Sequence, residues 1–206
     1  NRKGKLVIVE SPAKARTVGR FLGKGFTVKA SVGHVRDLLR SQLSVDVEND
    51  FLPKYRVPKE KRQVVNELKA LAKTHEEIYL ATDPDREGEA IAFHLQQILQ
   101  ADNRHIFRVL FNEITRQSIL AAVEKPRAID GHKVDSQQMR RLLDRLAGYK
   151  ISPVLQRKIG GPLSAGRVQS IALKIIVERE KEIRAFVSEE FWTIAVELLG
   201  SRQPSF

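Results

Sequence analysis

Four carboxylates in seven residues, directly after a short apolar run, constrain this chain more than any other feature. Residues 78–81 are typical of a buried strand, the acids stand at 83, 85, 87 and 89, and a helical pattern follows from residue 90. Pro84 and Gly88 lie between the acids. The segment predicts a strand, a tight turn and a helix, with the acids at the carboxyl end of the strand, where open α/β sheets place their functional residues.

A second predicted strand also ends at an acid. Residues 5–9 form a largely apolar run that is followed by Glu10, and a helical pattern begins at Ala13. Because the carboxyl ends of parallel strands meet at one edge of a sheet, Glu10 is expected near the acids at 83–89. Such oxygen ligands suit a hard divalent cation such as Mg²⁺. The alternative is that the acids only cap their helices, since Asp and Glu favour helix N-termini.

The first part of the chain alternates between strand and helix patterns. Strands are predicted at 6–9, 26–30, 78–81 and 106–111, and helices at 13–22, 62–72, 87–99 and 118–123. The alternation predicts an α/β fold, a parallel sheet covered by helices. Residues 40–58 break the pattern and predict an irregular, charged excursion, which is uncommon in a compact domain unless it has a function.

Helices dominate beyond a domain boundary that the Pro- and Gly-containing residues 126–131 predict. One amphipathic helix is predicted at 134–149 and another at 168–183, with residues 159–162 as the turn between them. From residue 186 the pattern becomes strand-like, most clearly at 191–196.

The charge balance favours a polyanionic partner. The chain has 36 basic and 25 acidic residues, a net charge of +11, and residues 131–184 alone hold 12 basic and 5 acidic ones. A generic basic protein, kept soluble by its charge, is the alternative. The sequence has no cysteine, no apolar run of membrane-spanning length and no apolar signal segment at its start. These features are expected of a cytoplasmic protein without a membrane partner.

Six segments together resemble the type IA DNA topoisomerases, with motifs most similar to the bacterial topoisomerase I branch of that family. The segments occur in the family's order and span nearly the whole chain; they are ESPAK (10–14), SVGHVRDL (31–38), DPDREGE (83–89), RVLFNEIT (108–115), residues 135–149 and LSAGRVQS (163–170). The first and third are similar to the Toprim domain of that family.

The resemblance implies a domain order. Residues 1–39 and 59–130 are expected to form a Toprim domain, and residues 40–58 an excursion toward the neighbouring helical domain. Residues 131–185 are expected to be part of a helical DNA-binding domain, and residues 186–206 the truncated start of a strand-rich arch domain.

The resemblance also implies an activity, the relaxation of negatively supercoiled DNA by transient single-strand cleavage through a phosphotyrosine link, strand passage and religation. Such an enzyme uses Mg²⁺ and no ATP, and the chain has no phosphate-cradling P-loop motif. DNA, single-stranded at the cleavage site, is the expected partner. The full enzyme is expected to be monomeric and to act in the bacterial cytoplasm, associated with the nucleoid.

By the same resemblance, Glu10 is expected to be the general acid toward the leaving 3′-oxygen and to reach the metal ion as well. Asp83, Asp85 and Glu87 are expected to bind that ion. Lys14 is expected to face the scissile phosphate. The alternatives are a helix cap for Glu10 and a solvated surface lysine for Lys14.

Arg167 is expected to be a second clamp on the phosphate, because its planar guanidinium matches phosphate oxygens. Glu89 and Arg108 are expected to support the acids from behind, although Glu89 could instead cap its helix and Arg108 could simply end a strand. The DNA-binding residues implied by the resemblance lie in three segments; they are His34, Arg140, Arg141, Asp144, Arg145, Tyr149, Ser164, Ala165, Gly166, Arg167, Val168 and Gln169.

One departure from the family pattern concerns the nucleophile. The family cleaves DNA with a tyrosine in a stretch similar to Tyr-x-Arg-Thr-Asp, and Tyr55, Tyr79 and Tyr149 all lie in other contexts. The chain is therefore expected to be an N-terminal fragment that is inactive alone. A Toprim primase or nuclease, and a non-catalytic DNA-binding module, are the alternatives. The central expectation is that Glu10 and the acids at 83–87 converge and face Arg167 across a cleft.

Overall fold

The computed structural model describes residues 4–39, 41–103 and 105–197, which form eight strands and six α-helices. The strands are β1 (Lys5–Val9), β2 (Phe26–Ala30), β3 (Asp37–Leu38), β4 (Val45–Asp46), β5 (Leu52–Pro53), β6 (Tyr55–Arg56), β7 (Glu77–Leu80) and β8 (Ile106–Arg108). The helices are α1 (Pro12–Leu22), α2 (Arg62–Thr74), α3 (Arg86–Leu99), α4 (Arg116–Glu124), α5 (Gly131–Ile159) and α6 (Arg167–Ala185).

Four of the strands form the parallel sheet that the alternation predicts. Their order is β2-β1-β7-β8, so β1 and β7 are the two central neighbours. In the register, Ile8 lies opposite Leu80, and the next residues along the two strands lead to Glu10 and Asp83. The strand order thus places the two predicted acidic segments at the same edge of the sheet.

The core has two layers, one on each face of the sheet. Alternate residues of β1 point to opposite faces, so that Leu6 and Ile8 pack with α2 and α3 while Val7 and Val9 pack with α1 and α4. Both central strands are buried on both faces, as expected of a doubly covered parallel sheet. The α/β fold class is confirmed.

Two local predictions are corrected. Residues 40–58 are more regular than expected, because β3 pairs with β6 and β4 with β5, both antiparallel. The helix predicted to end at Tyr149 continues to Ile159 and contains Pro153. Proline removes one backbone donor from a helix. Helical residues stand on both sides of Pro153, so α5 continues past it.

The chain divides into two compact units, Asn1–Gly166 and Arg167–Phe206. The second contains α6, as predicted, but residues 186–197 form no strand, so the prediction of a strand at 191–196 is wrong for the described part of the chain. A strand needs a hydrogen-bonding neighbour, and the described residues offer none there. The proposed domain limits at 131 and 186 stay predictions.

Within the described ranges, no helix combines the length and the apolarity needed to cross a bilayer.

Candidate active site

The acids that follow β1 and β7 meet directly. The Asp83 backbone N–H donates to Glu10 Oε1 at 2.6 Å, and the Lys14 ammonium pairs with Asp83 Oδ1. Ser11 caps α1 by accepting a hydrogen bond from the Lys14 N–H at 3.3 Å, so Glu10 is not the cap of that helix. Glu10, Lys14 and Asp83 therefore form one polar junction at the edge of the sheet.

A tight turn carries Asp83 into α3. Asp85 is the N-cap of α3, its Oδ1 accepting from the Gly88 N–H at 2.8 Å, and the Thr82 hydroxyl donates to the Gly88 carbonyl at 2.6 Å. A Cβ on Gly88 would lie 2.1 Å from the Asp83 carbonyl oxygen, far inside van der Waals contact. Only glycine fits there without moving the backbone that positions Asp83.

A buried arginine holds the turn from behind. Arg108 lies at the end of β8, 1% exposed, and donates to the carbonyls of Leu80 (2.9 Å), Thr82 (2.8 Å) and Asp83 (2.7 Å). Its Nε donates to Glu89 Oε2 at 3.0 Å. Burial lowers the pKa of Arg108 and the Glu89 carboxylate opposes that shift, so the guanidinium is held charged by a partner that is itself buried.

Glu89 joins the turn to α5. Its Oε1 accepts from the Asp130 N–H at 2.8 Å, while Asp85 takes the cap position of α3. The alternative that Glu89 caps its helix is therefore wrong. Lys133, one turn into α5, donates from Nζ to the Pro84 carbonyl at 3.0 Å.

Glu87 faces the segment that follows β2. His34 Nε2 lies 3.2 Å from Glu87 Oε2, and Gln137 Nε2 donates to the same oxygen at 3.2 Å. Val32 and Gly33 have φ values of 57° and 81°, and the Gly33 N–H donates to the Glu10 carbonyl at 3.1 Å. This left-handed turn brings His34 back toward the acidic edge.

Four residues of the predicted DNA-binding set, His34, Arg140, Arg141 and Asp144, line one cavity of about 270 Å³ together with Glu87. Its remaining lining residues, which sequence reasoning missed, are Arg36, Asp37, Tyr55, His94 and Gln137. Polar residues at 133, 137, 140, 141 and 144 lie on one side of α5 by their spacing, and this periodicity was the available signal for Lys133 and Gln137.

Two domain families match the sequence, and between them they cover most of it. The Toprim domain matches residues 5–114 and the family described as DNA topoisomerase matches residues 128–206. Among solved structures, full-length topoisomerase I from Thermotoga maritima is similar to this chain, with 49% identity, a TM-score of 0.78 and 88% of this chain covered.

The chain belongs to the type IA DNA topoisomerase family. The match confirms the resemblance drawn from the sequence motifs. The chain spans 31% of the length of the Thermotoga maritima topoisomerase I chain that it matches.

Toprim domains bind divalent metal ions, and the acids of this topoisomerase chain have the right chemistry for one. The four carboxylates Glu10, Asp83, Asp85 and Glu87 each use one oxygen in the contacts above, and the described residues engage no second oxygen of any of them. A carboxylate can accept at both oxygens. The donor set therefore fits a hard cation.

Among the described residues, these four acids do not form a preassembled metal-binding cluster. In the part of the chain that the structure describes, no group of three or more His, Asp or Glu side chains is close enough to hold a metal ion. Glu10 and Asp83 are in contact, Asp85 caps α3, and Glu87 points to His34 and Gln137. Binding of the ion by these four residues stays a prediction.

Two arginines and a tyrosine of α5 contact β3 and the residues that follow it. Arg141 forms a two-point ion pair with Asp37, at 2.6 Å to Oδ2 and 2.8 Å to Oδ1. Arg145 NH2 donates to the Leu38 carbonyl at 3.1 Å, and the Tyr149 hydroxyl donates to the Ser41 carbonyl at 3.3 Å. These contacts explain how two arginines four residues apart are tolerated, and DNA binding by them stays a prediction.

The loop that carries Ser164, Ala165 and Gly166 is fixed to the C-terminal half of α5. The Ala165 N–H donates to Ser152 Oγ at 3.0 Å, and the Gln156 amide donates to the Leu163 carbonyl at 2.8 Å. The remaining predicted contact residues, Arg167, Val168 and Gln169, begin α6 in the second unit. That Arg167 faces the acids across a cleft stays a prediction.

Proposed function

We propose that this chain is the Toprim-containing part of an enzyme that relaxes negatively supercoiled DNA by cutting one strand, passing another strand and resealing the first. The observation that carries the proposal is the junction of Glu10, Asp83 and Lys14 at the joined ends of β1 and β7. It brings an acid, a cation and a further carboxylate to one exposed edge of a rigid sheet. The family membership supports DNA as the partner.

In this proposal Glu10 is the general acid. One of its oxygens accepts from the Asp83 N–H, and its other oxygen carries the proton that passes to the leaving 3′-oxygen when the strand is cut. During religation the same carboxylate takes the proton back from the 3′-hydroxyl. The backbone contact fixes the orientation of the carboxyl group, because it joins two neighbouring strands of the core.

Lys14 and Arg167 offset the negative charge that develops on the scissile phosphate. The Lys14 side chain is 25% exposed and reaches the acidic edge from the first turn of α1. Arg167 is the first residue of α6 and is exposed. The guanidinium presents a planar pair of donors, whereas the ammonium acts as a point charge.

The proposed cofactor is Mg²⁺, held by Asp83, Asp85 and Glu87 with Glu10 beside them. When bound, the ion supplies positive charge that draws the phosphate and the broken 3′ end together. Gly88 and Arg108 fix the backbone that carries these acids, so the protein contributes orientation to the site.

The nucleophile in this proposal is a tyrosine that this chain does not contain. Tyr79 is 4% exposed within β7 and donates to Glu77 at 2.7 Å, at the end of the strand away from Asp83. Tyr149 holds the Ser41 carbonyl. The chain alone is therefore expected to bind DNA without cutting it. The proposal further includes single-stranded DNA at the cut, independence of ATP, a monomeric enzyme and a cytoplasmic location.

A relaxation assay on the natural protein that contains this sequence tests the proposal. Without ATP, the protein is expected to relax negatively supercoiled plasmid when Mg²⁺ is present and to stop when the ion is chelated. Glu10→Gln should slow cleavage by at least about 100-fold, the usual contribution of a general acid, while DNA binding is unchanged. Glu67→Gln, which alters an exposed ion pair with Lys29, is the matched control and should relax normally. Normal relaxation by Glu10→Gln would contradict the assignment.

A non-catalytic DNA-binding module is the second candidate, favoured by the net charge of +11 and by the absence of the family's tyrosine stretch. Its mark is salt-dependent DNA binding by a natural protein that never relaxes plasmid, because phosphate contacts release counterions. A primase or a nuclease is less favoured, because residues 128–206 match the DNA topoisomerase family.

A further inference from the structure

Three consecutive backbone carbonyls in the turn between β7 and α3 each accept a hydrogen bond from a cation. The Thr82 and Asp83 carbonyls accept from the buried Arg108 guanidinium, at 2.8 and 2.7 Å. The Pro84 carbonyl accepts from Lys133 Nζ at 3.0 Å. Arg108 ends a strand of the sheet, whereas Lys133 lies in the first turn of α5. The backbone that carries the acids is therefore held from two different elements.

The start of α5, from which Lys133 reaches the turn, is itself fixed in place. The next residue, Val134, is 3% exposed, and α5 packs against α3. At the helix start, the Asp130 N–H donates to Oε1 of the buried Glu89 at 2.8 Å. Because the Lys133 side chain begins on a fixed helix and ends on the backbone of the turn, its contact restricts the movement of Pro84.

Pro84 stands between two of the predicted cation ligands, Asp83 and Asp85. Proline has no N–H, so its carbonyl is the only backbone group through which another residue can hold it by a hydrogen bond. The carbonyl lies in the same peptide plane as the Cα of the next residue, Asp85. A donor on the Pro84 carbonyl therefore restricts the orientation of the two aspartates relative to each other.

Lys133 differs from Lys14, which also reaches this edge of the sheet, in the kind of atom that it bonds to. The Lys14 ammonium pairs with Asp83 Oδ1, an oxygen that a metal ion would use. Lys133 bonds to a backbone carbonyl and leaves the carboxylates to other donors, Lys14 for Asp83 and the Gly88 N–H for Asp85. The contact of Lys133 can therefore persist when a cation binds to the carboxylates.

We propose that Lys133 is a positioning residue for the divalent cation, because it holds the Pro84 carbonyl so that Asp83 and Asp85 present their oxygens to one ion. The inference rests on the proposed function for the cation itself. It adds a residue that the sequence motifs did not indicate, and it makes α5 a support of the acidic edge. Residues that orient metal ligands typically account for about 10–100-fold in metal affinity.

The direction of the change in cation affinity separates positioning from the effect of charge alone. Like charges repel, so an ammonium that merely stands near the ion weakens its binding, and removal of that ammonium should tighten binding. An ammonium that orients the ligands strengthens binding, and its removal should weaken binding. The two roles of Lys133 therefore predict opposite changes in the same measurement.

The test measures the Kd of Mn²⁺ by electron paramagnetic resonance for the unaltered chain, Lys133→Met, Lys133→Arg and Lys24→Met. Methionine keeps an unbranched apolar side chain and removes the donor and the charge, whereas arginine keeps both. Lys24 is exposed and lies just before β2, at the edge of the sheet opposite the acids. Lys24→Met is therefore the control that is matched in charge.

Lys133→Met should weaken Mn²⁺ binding by about tenfold, although it removes a positive charge from the neighbourhood of the ion. Lys133→Arg should restore binding to within about threefold of the unaltered chain, because a guanidinium N–H can donate to the same carbonyl. Lys24→Met should bind Mn²⁺ normally. When Asp83→Asn/Asp85→Asn is already present, Lys133→Met should cause no further loss, because the ligands that it positions are absent.

Equal or tighter Mn²⁺ binding by Lys133→Met would overturn the inference and leave the proposed cation site intact. Weaker binding that Lys133→Arg does not restore would overturn it as well, since the loss would then not depend on the donated hydrogen bond. If the unaltered chain binds no Mn²⁺, both the proposed cofactor and this inference fail. Circular dichroism and urea titration of each variant verify that the chain is folded under the conditions of the measurement.

Discussion

The acidic turn at residues 81–89 and helix α6 both carry residues expected to act on DNA, yet they are held in different ways. The turn is fixed by the buried Arg108, which donates to the Thr82 and Asp83 carbonyls and to the Glu89 carboxylate. In α6, Val168, Ile171 and Ile176 are 62%, 59% and 64% exposed, and no described residue covers them. The position of the acids is thus built into the core, whereas the apolar residues of α6 contribute little to folding of the described chain.

The largest expected effect breaks the buried pair in the first region. Arg108→Met leaves Glu89 buried without its partner and should lower the free energy of unfolding by about 3–5 kcal/mol in urea titrations followed by circular dichroism. Arg179→Met on α6 removes an arginine from an exposed pair with Glu182 and should cost less than about 1 kcal/mol. Equal losses in the two variants would erase the contrast between the regions.

A pH titration of the free energy of unfolding extends the comparison to a buried histidine, His94. The pKa of His94 falls from an ordinary value of 6.5 to about 4 because of burial and, secondarily, because of Arg36 and His34. Between those values the unfolded chain binds more protons than the folded chain, so stability rises with pH from about 4 to 6.5 and is lost as the pH falls. The full effect is about 3 kcal/mol.

His94→Phe should flatten this slope, and His132→Gln, at the exposed start of α5, should leave it unchanged. Urea unfolding at several pH values measures both. A slope that persists in His94→Phe would show that another group titrates in this range.

Alanine substitutions at two helical glycines distinguish the cost of a steric clash from the gain in helix propensity. Gly88→Ala places a Cβ 2.1 Å from the Asp83 carbonyl oxygen and should cost about 2 kcal/mol of stability. Gly19→Ala in α1 meets only Val28 at an ordinary 3.6 Å and should be neutral or stabilising by up to about 1 kcal/mol. Thermal unfolding distinguishes the two directions, and a stable Gly88→Ala would mean that the turn can relax around Asp83.

The smallest effect separates the two roles of Asp85. Asp85→Ala removes the N-cap of α3 and should cost about 1 kcal/mol, as should Thr115→Ala, which removes the cap of α4. Asp85→Asn keeps a capping oxygen and should retain stability while weakening divalent-cation binding. If Asp85→Asn binds the cation as well as the unaltered chain, Asp85 is a cap and not a ligand.

The sequence predicted the parts of the fold that have a strong period or a distinctive motif. The strands of the sheet follow from apolar runs, and the junction of Glu10 with Asp83 follows from acids at two strand ends. The full burial of Arg108 could not be predicted, since an arginine at a strand end is usually solvated and its partner Glu89 lies nineteen residues away.

The remaining misses have a physical cause of the same kind. The polar spacing on α5 places Lys133 and Gln137 on one side of the helix, but it does not identify their partners in the acidic turn, which lie about fifty positions away. The continuation of α5 through Pro153 reflects helix on both sides of the proline, which local propensity underestimates. The apolar alternation at 191–196 predicted a strand, but a strand also requires a neighbour.

The most direct test of the central claim, that the acids at the two strand ends act as one cation site, is Mn²⁺ binding to the chain followed by electron paramagnetic resonance. The unaltered chain should bind the ion, and the double variant Asp83→Asn/Asp85→Asn should lose at least about tenfold in affinity, the effect of about 1.4 kcal/mol. Asp46→Asn on β4, which alters an ion pair with Lys54, should bind normally. Equal Mn²⁺ affinity in the unaltered chain and the double variant would contradict the account.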